Sequence, residues 1–325
     1  MKKSLWFLLA VALVFLVFAG GCGVEEQAAE QDEGEPAVET ADPIEPVETD
    51  GTVVVTDQMG REVIIEGVPE RIISLSPSNT EVAFALGLGD RVVGVTEYCN
   101  YPPEAQEKEI VGGFSTPSIE RILELEPELV LASTIHAEEV PRLEELGIPV
   151  LVVEASNLID LYTSMSLVAE VTGVTANGEA LIASMQERLQ AVESVVGDIP
   201  EEDRVLVYYE VYSDPLMSAG KGAFINEIIS LAGGINIFGD ADENYPQISA
   251  EVVAERQPDV ILFPDYHGTA DLVLESMAGR PGWESVPAVV NDRVYAASDD
   301  AFARPGPRVV EAVEEAARLF YPDLF

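Results

Sequence analysis

Hydrophobic and polar positions follow two different periods along residues 52–325. Short runs rich in Val, Ile and Leu, such as "RIISLS" from Arg71 and "RVLVYYEV" from Arg204, predict buried strands. Segments between these runs place apolar residues every three or four positions, which predicts helices. Because strands separated by helices are typical of parallel sheets covered on both faces, this order predicts an α/β fold.

The alternation is interrupted between residues 160 and 198, where no strand pattern occurs. This segment predicts one long connecting helix, although "TGVTANGE" at 172–179 weakens its apolar periodicity and leaves two consecutive helices as an alternative. Strand and helix patterns then resume. The chain is therefore expected to form an N-terminal α/β lobe at 52–159, a connecting helix at 160–198 and a C-terminal α/β lobe at 199–325.

One helix-strand pattern occurs in both expected lobes. "SIERILELEPELVL" at 118–131 and "SAEVVAERQPDVIL" at 249–262 align without a gap and place Glu120 opposite Glu251. Duplication of one lobe is the simplest explanation. The alternative is that similar strand-loop-helix units arose independently.

A second pair of helices supports the duplication. "SNTEVAFALGLG" in the first lobe begins with Ser78 and Asn79, which are candidate cap residues. Its counterpart in the second lobe is "NEIISLAGG", so Glu81 lies opposite Glu227. We therefore expect the two glutamates to occupy equivalent positions.

The first 22 residues have the order of a secretory signal. Lys2 and Lys3 precede an apolar run, and small residues follow it up to Cys22. A transmembrane anchor is the alternative, but a span needs about 20 apolar residues and this run is shorter. "AGGC" resembles a bacterial lipoprotein signal, which implies cleavage of residues 1–21 and lipidation of Cys22.

Residues 22–51 carry acidic residues, Ala, Pro and Thr but no Lys or Arg, which predicts a disordered linker. The whole chain has a formal net charge of −42, and 48 acidic and 15 basic residues remain beyond this linker. A body of this charge is repelled by nucleic acid, so no nucleic-acid partner is expected. Solubility or adaptation to salt is the simplest reason for the charge.

The sequence contains no constellation that predicts catalysis. Nucleotide-binding glycine motifs, HExxH and GxSxG are absent. The two histidines, His136 and His267, lie in opposite lobes, so a mixed metal site with a carboxylate requires the lobes to face each other. Cys99 has no basic neighbour in the sequence and is expected to be a buried or half-buried thiol. We therefore expect no catalytic residue, no metal site and no bound cofactor.

Aromatic residues recur in loops just after predicted strands. Open α/β sheets bind ligands at the carboxyl ends of their strands, so rings from two lobes predict a cleft for a large, flat ligand. Ordinary packing is the simpler explanation for each ring taken alone, and the prediction depends on the position that all eight share. The residues are Tyr98, Tyr101, Phe114, Tyr209, Tyr212, Tyr245, Tyr266 and Phe302.

Together these features resemble the substrate-binding proteins of ABC importers, in the class for vitamin B12, haem and iron-siderophore complexes. The resemblance covers residues 71–325 and implies the class III periplasmic-binding-protein fold, with two Rossmann-like lobes joined by a long helix and ligand held between them. The motifs that carry it are "RIISLSPSNTEVAFALG", "VGVTEYCNYPPEA", "SIERILELEPELVL", "SAGKGAFINEIISLAGGINIF", "YPQISAEVVAERQPDVIL" and "FARPGPRVVEAV".

Within the class, the pattern is most similar to the B12-binding branch. Tyr98, Phe114, Tyr209, Tyr245 and Phe302 fall where that branch places aromatic residues that contact the corrin ring.

Two further positions follow from the same resemblance. Ser133 stands where the branch can have a tryptophan. Arg304 stands where siderophore binders use arginine on an acidic ligand group, and an ion pair at the lobe surface is the alternative role.

The resemblance also implies that one exposed glutamate of each lobe docks onto the permease. These are Glu120 and Glu251, for which helix capping is the alternative role. The expected partners are an ABC permease dimer with its ATPase, a small-molecule chelate, and a membrane reached through the lipid anchor.

The expected function is therefore capture of a metal chelate outside the cytoplasm, with cobalamin or another corrinoid as the first choice, for delivery to a permease. An iron-siderophore or haem binder of the same class is the first alternative. A metal-dependent enzyme would need His136 and His267 to converge, and a surface adhesin would have no small-molecule cleft.

Overall fold

The computed structural model describes residues 51–265 and 270–325. Within them the strands are β1 (Thr52–Thr56), β2 (Glu62–Glu66), β3 (Ile72–Ser74), β4 (Val92–Val95), β5 (Glu109–Ile110), β6 (Gly112–Gly113), β7 (Thr116–Pro117), β8 (Leu129–Ala132), β9 (Val150–Val152), β10 (Leu206–Ser213), β11 (Leu216–Ser218), β12 (Ile235–Asn236), β13 (Val260–Pro264) and β14 (Val294–Ala297).

Helices separate most of the sheet strands, as the sequence predicts. They are α1 (Pro77–Ala85), α2 (Ile119–Glu124), α3 (Val140–Glu145), α4 (Leu158–Val171), α5 (Thr175–Val196), α6 (Phe224–Leu231), α7 (Ala250–Arg256), α8 (Ala270–Ala278), α9 (Pro287–Val290), α10 (Asp299–Ala303) and α11 (Val309–Phe320).

The N-terminal lobe contains a parallel sheet in the order β5-β4-β3-β8-β9. The carboxyl ends of its strands therefore meet at one edge. Two antiparallel hairpins, β1-β2 and β6-β7, complete this lobe. The expected α/β lobe with a central parallel sheet is confirmed.

The C-terminal lobe has a mixed sheet in the order β11-β10-β13-β14, with β12 also paired to β10. Its pairs are parallel except β10-β11, which is antiparallel. The exception has a local cause, because only Asp214 and Pro215 separate the two strands and so short a connection permits only a hairpin. The sequence pattern did not predict β11.

The connecting segment forms two helices instead of one. α4 ends at Val171 and α5 begins at Thr175, with Gly173 between them at a φ of 72°. α4 packs on β1 and α1, whereas α5 packs on α11 and α6. The expected boundary at residue 160 therefore falls inside a helix that packs on the N-terminal lobe, and α5 alone serves as the connector.

The first turn of α1 differs from its prediction. Ser76, not Ser78 or Asn79, is the N-cap, and its side chain accepts a hydrogen bond from the backbone N–H of Asn79. Pro77 decides this, since proline favours the first helical position and therefore places the cap one residue earlier. Asn79 is thereby free to make other contacts.

The two lobes share one main core. Its buried members include Val82 and Ala83 of α1, Met185 of α5, and Val309 and Val313 of α11. Each sheet also buries its outer face in a separate cluster, one per lobe. Apolar contact is therefore continuous from one lobe through the connector to the other.

The repeated stretches adopt the same local structure. Ser118 and Ser249 each cap a helix by accepting a hydrogen bond from the backbone N–H three residues later. After the helices, Glu126 and Gln257 both adopt the left-handed conformation, with φ of 45° and 48°. Because non-glycine residues rarely adopt it, this shared feature favours duplication over independent origin.

None of the helices in the described ranges is both long enough and apolar enough to span a membrane. The expected signal segment 1–21, Cys22 and the linker up to residue 50 lie outside the described residues.

Candidate ligand-binding site

A cavity of about 470 Å³ opens at the carboxyl ends of β3, β8 and β9. α4 closes one side, and residues 303–305 of the C-terminal lobe close another, so both lobes contribute. Both its position and its size are those of a small-molecule site in an α/β sheet. Its lining residues are Ser76, Pro77, Ser78, Asn79, Val82, Tyr98, Phe114, Ser115, Ser133, Val153, Glu154, Ala155, Leu161, Ser164, Ala303, Arg304 and Pro305.

Three of the six predicted ligand-binding residues line this cavity. Tyr98 lies at the rim with 57% of its surface exposed, and Phe114 is half-buried in the wall. Arg304 approaches from the C-terminal lobe. The two aromatic faces and the guanidinium thus surround one space.

The other three predicted residues do not line it. Tyr209 and Phe302 are 1% and 0% exposed and stack on each other with ring centroids 5.8 Å apart. Tyr209 is covered because alternate residues of β10 face opposite sides of the sheet, and its side faces the main core. Tyr245 lies half-exposed elsewhere in the C-terminal lobe, where burial raises the pKa of its phenol. Tyr266 is outside the described residues.

Hydroxyl groups form much of the remaining wall, and sequence reasoning missed them. Ser133, predicted only as a replacement for tryptophan, is one of them. A usable signal was present for three of them, because Ser76, Ser115 and Ser133 lie within two residues of the end of a strand. The five are Ser76, Ser78, Ser115, Ser133 and Ser164.

Asn79 holds the floor of the cavity in place. Its side-chain amide donates hydrogen bonds to the carbonyl oxygens of Ala132 at 3.1 Å and Val153 at 3.3 Å. These carbonyls end two neighbouring strands of the sheet. The asparagine therefore fixes the spacing of the strand ends that carry Ser133 and Glu154.

Arg304 links the two lobes while it lines the cavity. It pairs with Asp300 at 2.7 Å in its own lobe and donates to the side-chain oxygen of Asn100 at 2.5 Å in the other. The carboxylate of Glu81 lies 3.8 Å away. Both roles considered for Arg304, cavity lining and an ion pair, are therefore geometrically compatible.

Behind Arg304, Glu81 and Arg308 form a buried ion pair between the lobes. Two nitrogens of Arg308 donate to the two carboxylate oxygens of Glu81 at 2.6 and 2.9 Å. Burial raises the pKa of Glu81 above its ordinary value, and the bonds from Arg308 offset part of that effect. The pair therefore holds two desolvated charges at the junction of the lobes.

Glu120 and Glu251 occupy matching positions on the surface of the two lobes. Each is exposed and is the second residue of its serine-capped helix. Hydrogen bonds from its own backbone N–H and from Ser249 lower the pKa of Glu251. Both side chains are therefore accessible to a partner.

The candidate metal ligands are placed as follows. His136 is buried, with both ring nitrogens in hydrogen-bond contact with backbone groups. His267 is outside the described residues. Across 51–265 and 270–325, no group of three or more His, Cys, Asp or Glu is arranged to hold a metal ion.

Cys99 is buried, as predicted, between the hydroxyls of Thr80 and Thr96.

Comparison with known proteins identifies the family of this chain. A model described as periplasmic binding protein matches residues 72–301. An uncharacterised ABC transporter substrate-binding lipoprotein of Bacillus subtilis is 33% identical over 100% of this chain and 99% of its own length.

Two solved structures are also similar. The periplasmic vitamin B12 binding protein of Vibrio cholerae has a TM-score of 0.67 and 32% identity, over 78% of this chain and 97% of its own. The periplasmic haem-binding protein of Roseiflexus has a TM-score of 0.70 and 30% identity, over 79% of this chain and 99% of its own.

These matches confirm the expected fold class and the expectation of a substrate-binding protein rather than an enzyme. The family model spans most of both lobes, including every strand that ends at the cavity. The chain therefore belongs to the periplasmic binding protein family.

Proposed function

We propose that the protein captures a corrinoid, with cobalamin as the leading candidate, and delivers it to the permease of an ABC importer. The observation that carries the proposal is the composition of the cavity wall. Tyr98 and Phe114 present aromatic faces, while five serines line the same wall with hydroxyl groups. A corrin has an apolar ring system surrounded by amide side chains, which needs both kinds of contact.

The similarity to the vitamin B12 binding protein of Vibrio cholerae supports this choice. A haem binder is the second candidate, because the Roseiflexus haem-binding protein is similar to a comparable degree. The two ligands make different demands on the site. Haem iron takes an axial ligand from the protein, commonly His, Cys, Met or Tyr, whereas the cobalt of cobalamin carries its own axial groups.

Substitution of Tyr98 distinguishes a corrinoid site from a haem site. Among the described residues that line the cavity it is the one with the chemistry of a haem-iron ligand. Tyr98→Phe keeps the ring and removes the phenol oxygen. A corrinoid site should tolerate this change, while a haem site ligated by Tyr98 should lose affinity and change its absorbance spectrum.

The direct test is an absorbance titration of the purified protein with cyanocobalamin, cobinamide, hemin and a ferric siderophore. We expect saturable binding of a corrinoid at micromolar concentration or below. Tyr98→Ala should weaken it, and Tyr212→Ala is the matched control, since Tyr212 is 53% exposed and lies outside the cavity. Binding of hemin or the siderophore without any corrinoid would overturn the choice of ligand.

We further propose that Glu120 and Glu251 dock onto the two permease subunits. Reversing both charges with Glu120→Lys and Glu251→Lys should abolish transport and leave ligand affinity unchanged. Glu124→Lys and Glu255→Lys are matched controls, because these exposed glutamates lie one turn further along the same helices. Equal loss of transport in the control pair would show an effect of net charge instead of docking.

The proposed location is the outer face of a cell membrane, reached through lipidated Cys22. Support comes from the signal-like residues before it and from the Bacillus subtilis relative, which is named a lipoprotein. Cys22→Ser should move the protein from the membrane fraction to the soluble extracytoplasmic fraction. Retention of Cys22→Ser in the membrane would favour an uncleaved anchor.

A further inference from the structure

His136 lies directly behind the cavity wall and is 1% exposed. It ends the short 3-10 turn Thr134–His136 that follows β8. One ring nitrogen, Nδ1, accepts a hydrogen bond from the backbone N–H of Ser133 at 3.0 Å. The other, Nε2, lies 2.7 Å from the carbonyl oxygen of Phe114. The imidazole is therefore neutral, with its proton on Nε2 and donated to Phe114.

The imidazole also packs edge-on against the ring of Phe114, with centroids 5.6 Å apart and planes at 89°. One side chain thus contacts the backbone and the ring of Phe114 as well as the backbone of Ser133. Both of these residues line the cavity, whereas His136 does not.

Phe114 depends on such support because its hairpin is minimal. β6 and β7 have two residues each and pair only at Gly112 with Pro117 and Gly113 with Thr116. A two-stranded ribbon of this size does not hold its shape in water without outside contacts. The bond from His136 reaches the turn itself, which the ladder leaves unpaired.

We propose that His136 is a positioning residue for ligand binding. It fixes the turn that carries Phe114 to the strand end that carries Ser133, so that an aromatic face and a hydroxyl are presented to the ligand together. The inference rests on the proposed function, since it takes this cavity as the ligand site. It extends that function by assigning a role to a buried residue that touches no ligand.

Two substitutions separate the two hydrogen bonds of His136. In His136→Asn the side-chain oxygen stands near the position of Nδ1 and keeps the acceptor for Ser133, but no donor reaches Phe114. In His136→Gln the amide nitrogen reaches the position of Nε2 and keeps the donor to Phe114. The pair therefore tests the bond to Phe114 against a closely matched control.

We expect His136→Asn to weaken corrinoid binding about 10-fold, the equivalent of one hydrogen bond of about 1.4 kcal/mol. His136→Gln should stay within about 3-fold of wild type. In a Phe114→Ala background, His136→Asn should cost no further affinity, because the residue it positions is already gone. Equal affinities of wild type and His136→Asn, or additive losses in the double variant, would overturn the proposal.

Hydrogen exchange in the ligand-free protein provides a readout that does not depend on the ligand. Amides of residues 112–118 should exchange faster in His136→Asn and at the wild-type rate in His136→Gln. If wild type binds no corrinoid but this difference is found, the proposed ligand fails while the positioning role stands. Unchanged exchange in His136→Asn would refute the positioning role whatever the ligand.

A third variant covers the case in which His136→Asn does not fold. His136→Phe keeps a ring against Phe114 but has neither nitrogen, so the hairpin should again exchange faster and affinity should fall. Wild-type affinity and exchange in His136→Phe would show that packing alone holds Phe114, which contradicts the proposal.

Discussion

Glu81 and Glu227 occupy matching positions on the first helix of their lobes, and each binds an atom of the opposite lobe in a different way. Glu81 of α1 is buried and makes a two-point ion pair with Arg308 of the C-terminal lobe. Glu227 of α6 is only half-buried and accepts one hydrogen bond, at 3.0 Å, from the backbone N–H of Leu158 at the start of α4.

The duplicated glutamate makes a different contact in each lobe. In both lobes the carboxylate crosses the junction, so its direction follows from the duplicated helix. The partner differs because α1 faces Arg308, whereas α6 faces the first turn of α4. The backbone N–H groups of a first turn have no partner within their own helix and therefore attract an anion. The two glutamates thus contribute one strong contact and one weak contact to the junction.

Removal of Arg308 should have the largest effect on this junction. Arg308→Met leaves the carboxylate of Glu81 buried without its main partner, which should lower the free energy of unfolding by about 3 to 5 kcal/mol. Urea denaturation measures the change. The double variant Glu81→Gln with Arg308→Met should recover much of it, since no uncompensated charge remains, and failure to recover would assign the loss to packing.

Removal of Glu227 should have a smaller effect. Glu227→Ala deletes one hydrogen bond to a helix N-terminus and should cost about 1 kcal/mol in the same assay. Glu255→Ala, an exposed glutamate on α7, is the control and should change stability by less than about 0.5 kcal/mol. If Glu227→Ala costs as much as Arg308→Met, the two contacts are equivalent and the contrast is wrong.

Replacing the two residues in the left-handed conformation should have a smaller effect on the free energy of unfolding, and in the opposite direction. Glu126→Gly and Gln257→Gly should each stabilise the protein, by about 0.5 to 1 kcal/mol, because glycine adopts a positive φ without the steric penalty. The gains should be similar in the two lobes, since the φ values are 45° and 48°. A shift in melting temperature for one variant only would show that the two helix ends are not equivalent.

The smallest expected effect is on the pH dependence of the free energy of unfolding. Burial is the main cause that raises the pKa of Glu227, so the folded state binds its proton more tightly than the unfolded state does. Between the ordinary pKa of a glutamate and this raised value, the free energy of unfolding should therefore fall as pH rises. Glu227→Gln should make that fall shallower, as melting temperatures across this range would show. An unchanged slope would contradict the assignment.

Much of the fold was predictable because its signals are local. The repeated stretch at 118–131 and 249–262 identified two α/β lobes, and the structure confirms that both copies are capped and terminated alike. "TGVTANGE" marked the break between α4 and α5. Local errors came from short-range chemistry, as when Pro77 moved the cap of α1 to Ser76.

The site was less predictable because it depends on side-chain direction. Tyr98 and Tyr209 both lie near the ends of strands, yet one faces the cavity and the other packs on Phe302. Alternation along β10 decides this, and since residues 207–210 are buried on both faces of the sheet, the sequence does not show which face is which. Contacts between distant residues, such as His136 with Phe114, leave no pattern in the sequence.

The shared core also affects the order in which the chain can fold. α11 supplies Val309, Val313 and Phe320 to the same cluster that holds α1 of the first lobe. Among the described elements α11 comes last along the chain, so the cluster cannot be completed until residues 309–320 have been synthesised. Until then the apolar residues of α1 lack these contacts, and such exposed apolar surface favours aggregation of a growing chain.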